Sequence, residues 1–415
     1  MTPVALTKLF LAALALTTSL RVWLALRHLG SVQSHRGAVP APFAAAITLE
    51  AHQKAADYTA ARVKLGLADL SIGTLFLLWL TLGGLMQRVF DAWAPVFPPG
   101  GYGHGIAFLA TLGLLGSLVD LPFGLYRTFV IEERFGFNKM TPGLWIKDLA
   151  KQLALTAAIG LPVLFAVLWL MARMGELWWF WVWCFWLGFN LLVLLVYPSF
   201  IAPLFNKFTP LTDDKLAQRI EALLARCGFR VSGLYVMDGS KRSAHGNAYF
   251  TGFGAAKRIV FFDTLLEKLS PEEVEAVLAH ELGHYKHRHI WQRVALLGAI
   301  SLGFLAALGY LIQEAWFFQG LGMASMGTAP ALALFSMAIP VFTFPFSPLM
   351  SQVSRCHEFQ ADAYAVRQTK AEDLASALVK LYRDNAATLT PDPLYSTFHD
   401  SHPPAAVRIA RLKQA

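Results

Sequence analysis

Seven apolar stretches, each long enough to cross a bilayer, constrain this chain more than any other feature. They lie near residues 6–26, 67–87, 105–126, 150–172, 178–201, 290–313 and 329–350. A bilayer's hydrocarbon core is about 30 Å thick and takes about 20 helical residues to cross. Inside it the backbone must satisfy its own hydrogen bonds, so such stretches fold as helices. Of the 415 residues 56% are hydrophobic and only 15% charged, a composition that excludes a soluble enzyme. The expected fold class is mainly α, a polytopic membrane protein with seven transmembrane helices. The first stretch sits where a secretory signal would, but Arg21 interrupts it and no cleavage site follows, so it counts as a span.

Charge orients the spans. Arg27, Arg36, Lys54, Arg62 and Lys64 follow the first stretch, and Arg127, Arg134, Lys139, Lys147 and Lys151 follow the third, whereas the loop 315–328 has neither Lys nor Arg. The positive-inside rule then places residues 27–66, 127–149 and 202–289 and the C-terminus in the cytoplasm, with the N-terminus outside. A net charge of +8 suits loops beside an anionic leaflet and calls for no nucleic acid. Cys184, Cys227 and Cys356 show no C-x-x-C spacing and read as ordinary residues.

The polar region between the fifth and sixth stretches carries the chemistry. Residues 280–284 read H-E-L-G-H. Two histidines four apart share one helical face and can hold one metal ion, and Glu281 is placed to take a proton from a water held there. Ser270-Pro271-Glu272-Glu273 predicts where that helix begins. Ser270 caps, Pro271 suits the first turn, and Glu273 completes a capping box. Val274, Leu278, Leu282 and Tyr285 form its packing stripe, on a different face from His280 and His284. A catalytic zinc takes three protein ligands and keeps one position open. Glu358, in E-F-Q-A-D (358–362), is the expected third ligand. Asp362, one turn on, can orient a ligand histidine through its free ring nitrogen. His357 is a rival ligand, but it points about 100° away from Glu358. The cofactor expected is one Zn2+ per chain.

A small α+β unit precedes the motif. Residues 213–227 predict a helix ending at Gly228, followed by strands over Val231–Asp238, His245–Phe253 and Arg258–Asp263. Proteases often bind substrate as an added strand on a sheet edge. The segment 243–250, which includes His245, Asn247, Ala248 and Tyr249, is the expected edge.

These segments together resemble the type I CAAX prenyl proteases, integral-membrane zinc metalloendopeptidases. The resemblance rests on A-D-Y-T-A-A-R-V-K-L-G-L (56–67), L-P-F-G-L-Y-R-T-F-V-I-E-E-R-F-G-F-N (121–138), P-L-F-N-K-F-T-P-L (203–211), H-G-N-A-Y-F-T-G-F (245–253), H-E-L-G-H, E-F-Q-A-D and S-H-P-P (401–404). It implies seven helices enclosing a chamber, with the metal site facing inward. It implies that His280, His284 and Glu358 bind zinc, that Glu281 is the base and that Asp362 supports a ligand. By the same resemblance Asn247 and Ala248 belong to the substrate-binding edge, while His402 and Arg408 approach the site from the C-terminal segment; zinc with His402 or Arg408 is expected to hold the oxyanion. The implied partners are the lipid bilayer and a peptide or protein substrate, prenylated or not; oligomeric state stays open. The expected division is 1–201 (five membrane helices with cytoplasmic loops), 202–289 (edge strand and zinc helix), 290–350 (two membrane helices) and 351–415 (third zinc ligand). The chain is shorter than eukaryotic members and ends R-L-K-Q-A without a lysine-rich retrieval signal, so a prokaryotic plasma membrane is expected. A membrane-protein quality-control protease is the nearest alternative function, and a transporter with a structural zinc the non-enzymatic one. A site-2 type intramembrane protease is disfavoured by the charges flanking the motif.

Overall fold

The structure is a computed structural model and describes residues 1–251 and 258–414. Seven helices are long and apolar enough to cross a membrane: Pro3–Ser34, Leu49–Leu80, Tyr102–Glu132, Pro142–Arg173, Gly175–Phe205, His289–Leu311 and Thr328–Gln368. Thr2, Thr48 and Thr141 cap the first, second and fourth, each accepting from a backbone N–H three residues on. A 32-residue helix is about 48 Å long, well beyond the hydrocarbon core, so these rods project from it. The second helix begins at Leu49, not near 67 as hydropathy predicts. Glu50, Lys54, Asp57, Arg62 and Lys64 hide its first half from a hydropathy reading.

Large apolar side chains such as Leu75, Trp181 and Leu195 stay exposed on the helices, as lipid-facing surfaces require. The bundle packs tightly at one end, around Phe10, Met86, Phe108, Leu168, Phe318 and Leu334. Away from that plug a cavity of about 720 Å³ opens, lined by the first and second helices and by residues 385–400.

The catalytic region has its own core, built on Ile220, Leu223, Phe261, Leu278 and Leu282. Asp214–Cys227 forms the expected helix, and Gly228 ends it in the left-handed region (φ 69°). Four strands follow the order β1-β2-β4-β3, with β1 Phe208–Pro210, β2 Gly233–Met237, β3 Ala248–Thr251 and β4 Arg258–Phe262. β2 and β4 are parallel, and the outer pairs are antiparallel. β1 is three residues long and contains Pro210, which leaves no pattern to read. β3 lies at the end of the sheet, as expected of the 243–250 segment; residues 252 and 253 of the expected strand fall outside the described residues.

The motif helix, Pro271–Lys286, starts with the full capping box between Ser270 and Glu273. Arg288, at φ 57°, turns the chain out of it and into the sixth membrane helix. The seventh crossing leads through a short turn into the helix Ser347–Gln368, which carries Glu358 and spans both sides of residue 350. Gly283 sets how these two helices meet. A Cβ there would lie 2.8 Å from the Cα of Ala361, so only glycine allows the close approach.

Candidate active site

The close approach of the two helices brings three ligand atoms together. His280 Nε2 lies 3.2 Å from His284 Nε2 and 3.5 Å from Glu358 Oε2, and His284 Nε2 lies 3.3 Å from Glu358 Oε1. Ligands about 2.0–2.2 Å from one ion, at tetrahedral corners, stand about 3.3 Å apart. Glu358 is 4% exposed, and its Oε2 makes no hydrogen bond, although the Arg408 guanidinium stands 3.4 Å away. A buried carboxylate oxygen left without a donor is costly unless a cation meets it. The residues present therefore fit a metal ion held by His280, His284 and Glu358.

Each ligand is oriented from behind. His280 Nδ1 donates to Asp362 Oδ1 at 2.9 Å. Arg408 clamps the same carboxylate with two hydrogen bonds, at 2.9 and 2.6 Å. Burial opposes charge on His280, but the hydrogen bonds from Asp362 and Glu358 outweigh it and raise its pKa to about 9. With His284 Nε2 turned to the ligand cluster, its Nδ1 donates to His289 Nδ1 at 3.0 Å, and His289 Nε2 donates to Gln360 Oε1 at 2.8 Å.

Glu281 is half-buried beside the ligands. Burial pushes its carboxyl up, while His280 and His284 pull it back down. A carboxylate tuned upward is a better general base near neutral pH. His402 is exposed and brings Nε2 to 3.3 Å from Glu358 Oε1. Arg408 lies differently from the expectation. It is 6% exposed, sits behind the ligands, and is engaged with Asp362 and with Glu358 Oε2 at 3.4 Å. Its place is that of a positioning group, which leaves His402 as the exposed donor beside the ligand set. His357 stacks on His289 at 4.0 Å and stays outside the ligand group.

β3 packs beside the motif helix. Asn247 C=O accepts from Phe262 N–H at 3.0 Å, which ties the strand to β4. The Ala248 N–H is met by Asn247 Oδ1 at 2.8 Å. Tyr249 stands edge-on to Phe262. His245 is held away from the metal ligands by Asn385, at 3.1 Å from Nδ1, and by stacking on Phe137. His289, Gln360 and Asn385 were not legible as site residues. His289 acts across the helix break at Arg288, Gln360 lies inside E-F-Q-A-D but two residues from Glu358 and so off its face, and Asn385 comes from a distant segment.

Residues 28–207 match the family described as "CAAX prenyl protease N-terminal, five membrane helices", and residues 210–415 match "Peptidase family M48". The "CAAX prenyl protease 1 homolog" of Arabidopsis thaliana is 38% identical over 83% of this chain and 80% of its own length. The chain belongs to the CAAX prenyl protease 1 family, within peptidase family M48. The Homo sapiens homolog is 36% identical over 84% of this chain and 82% of its own length. The crystal structure of S. mikatae Ste24p superposes with a TM-score of 0.91 at 33% identity, covering 98% of this chain and 99% of that one. Membership of this M48 family makes the chain a multi-pass membrane metalloendopeptidase. These relatives are eukaryotic and give no support to a prokaryotic origin.

Proposed function

We propose that the protein is a zinc endopeptidase that trims the C-terminal peptide of CAAX-type substrates. The convergence of ligand atoms from His280, His284 and Glu358 on one point carries this reading. Zinc, when bound, supplies a Lewis acid that polarises the substrate carbonyl and acidifies water. Glu281 takes the proton from the attacking water and passes it to the leaving amine. His402 donates toward the developing oxyanion. Asp362, clamped by Arg408, holds the His280 ring and tautomer. Asn247, Ala248 and Tyr249 on β3 receive the substrate backbone as an added strand, with His245 at its approach. The names of the relatives favour a prenylated substrate, and the Lys/Arg asymmetry favours a cytoplasm-facing site.

Purified protein should hold about one zinc per chain. It should cleave a CAAX peptide with a prenylated cysteine, and do so faster than the same peptide without the lipid. Zinc-loaded protein that cleaves neither would overturn the reading. Equal cleavage of both would leave the peptidase in place and remove the prenyl preference.

A further inference from the structure

The cavity beside the active site is lined by three arginines, Arg21, Arg62 and Arg127, against a single carboxylate, Asp400. Among the described residues none of these arginines forms an ion pair. Arg21 lies over the Phe344 ring at 5.3 Å and Arg62 over the Tyr58 ring at 5.4 Å. Asp69 acts on Arg21, and Glu132 on Arg62, only from beyond pairing distance; Tyr58 donates to Glu132 Oε1, and the buried Oε2 has no hydrogen-bond partner. All three arginines sit on membrane helices. All three are exposed to the cavity, so with one facing carboxylate they give its wall a net positive charge that draws an anion.

Position identifies the anion. His245, on the cavity wall, precedes β3 by a few residues, and Asp400 lies just ahead of His402. The cavity therefore begins at the N-terminal end of β3. A peptide added antiparallel to that strand, the more stable pairing, runs in the opposite direction. Its C-terminal residues point past Asn247 and His245 into the cavity. These residues lie beyond the cleaved bond, and their last group is a carboxylate. Guanidinium forks match carboxylates with two hydrogen bonds. We propose that Arg21, Arg62 and Arg127 form the subsite for the free α-carboxylate of the peptide released by cleavage. The proposal rests on the peptidase reading above. An extended tripeptide spans about 10 Å, so such a subsite fixes how far from the chain terminus the bond is cut.

The test compares one CAAX peptide with a free C-terminal acid and with a C-terminal amide. The acid should be cleaved with a kcat/KM roughly 10- to 100-fold higher, mostly through KM, as a charge-assisted contact is worth. Arg62→Gln and Arg21→Gln should bring the acid-to-amide ratio toward one, and Arg62→Lys should restore part of it. A merely structural role would lower both rates in parallel and overturn the proposal. So would an acid-to-amide ratio near one in the wild type. The Glu281→Gln protein, titrated by calorimetry with the tripeptide acid and amide, reads the subsite without cleavage. Equal binding there also sinks it. If neither peptide is cleaved but the acid binds more tightly, the subsite stands and the peptidase reading falls. Inhibition by phosphatidylglycerol vesicles but not phosphatidylcholine vesicles, without an acid preference, would assign the arginines to lipid and overturn the proposal.

Discussion

Behind the candidate metal ligands the charges are paired. Arg408 grips Asp362, Asp362 holds His280, and Glu358 faces both histidines. In the neighbouring cavity Arg21, Arg62 and Arg127 meet aromatic rings or open space. The first arrangement has its charges matched within the fold, so its geometry is fixed before substrate arrives. The second leaves charge unmatched, and an unmatched charge is available to a ligand. Both lie in one membrane protein, so burial alone does not distinguish machinery from receptor. The presence or absence of a partner does.

The largest effect should come at the base. Glu281→Gln should keep the metal and lower turnover by roughly 10²- to 10⁴-fold, because only proton transfer is removed. Metal analysis beside a cleavage assay checks this, and wild-type turnover in the variant would rule out the mechanism. Next, Arg408→Met should destabilise the fold by about 3 kcal/mol, since it takes the guanidinium from the buried Asp362 and leaves it only the His280 hydrogen bond. Arg62→Gln should change stability by less than about 0.5 kcal/mol, because no pair is broken. Equal losses in thermal unfolding would erase the contrast between the two regions. Ala248→Pro, which removes an N–H from the sheet edge, should lower kcat/KM by about tenfold with metal content unchanged. A monodisperse variant that cleaves normally would move substrate docking away from β3.

The smallest effect concerns the start of the motif helix. Burial opposes the charge on Glu273, but Lys380, the Ser270 N–H and Ser376 outweigh it and hold its carboxyl below the usual range. A depressed folded pKa stabilises the protein above the unfolded value of about 4.3, and that stability is lost as pH falls through the folded value. Glu273→Gln should therefore cost about 1 kcal/mol at neutral pH, as other capping losses do, and progressively less in acid. A gap between the two melting curves that persists at the lowest pH would show that Glu273 acts by packing.

Much of this was legible in residue order. The capping box, the histidine spacing and the Glu358–Asp362 turn are local, and local periodicity fixes which face each side chain takes. The orienting role of His289 was not legible, because it depends on a helix break at Arg288. Nor was the clamp role of Arg408, which acts on a helix far away in sequence. The charged first half of the second membrane helix was hidden for a related reason. Glu50, Lys54, Arg62 and Lys64 are exposed, and a hydropathy scale reads such charged residues as loop even where the helix runs on.

The contact at Gly283 has a mechanical consequence. The third ligand rides on a rod that continues the seventh membrane helix, so a change in bilayer thickness tilts it. Over the roughly 33 Å of Ser347–Gln368, a tilt of one degree displaces the far end by about 0.6 Å. With the motif helix seated backbone-to-backbone on that rod, the two tilt as one body. Any tilt of this rod would carry the three candidate ligands together, without prising them apart.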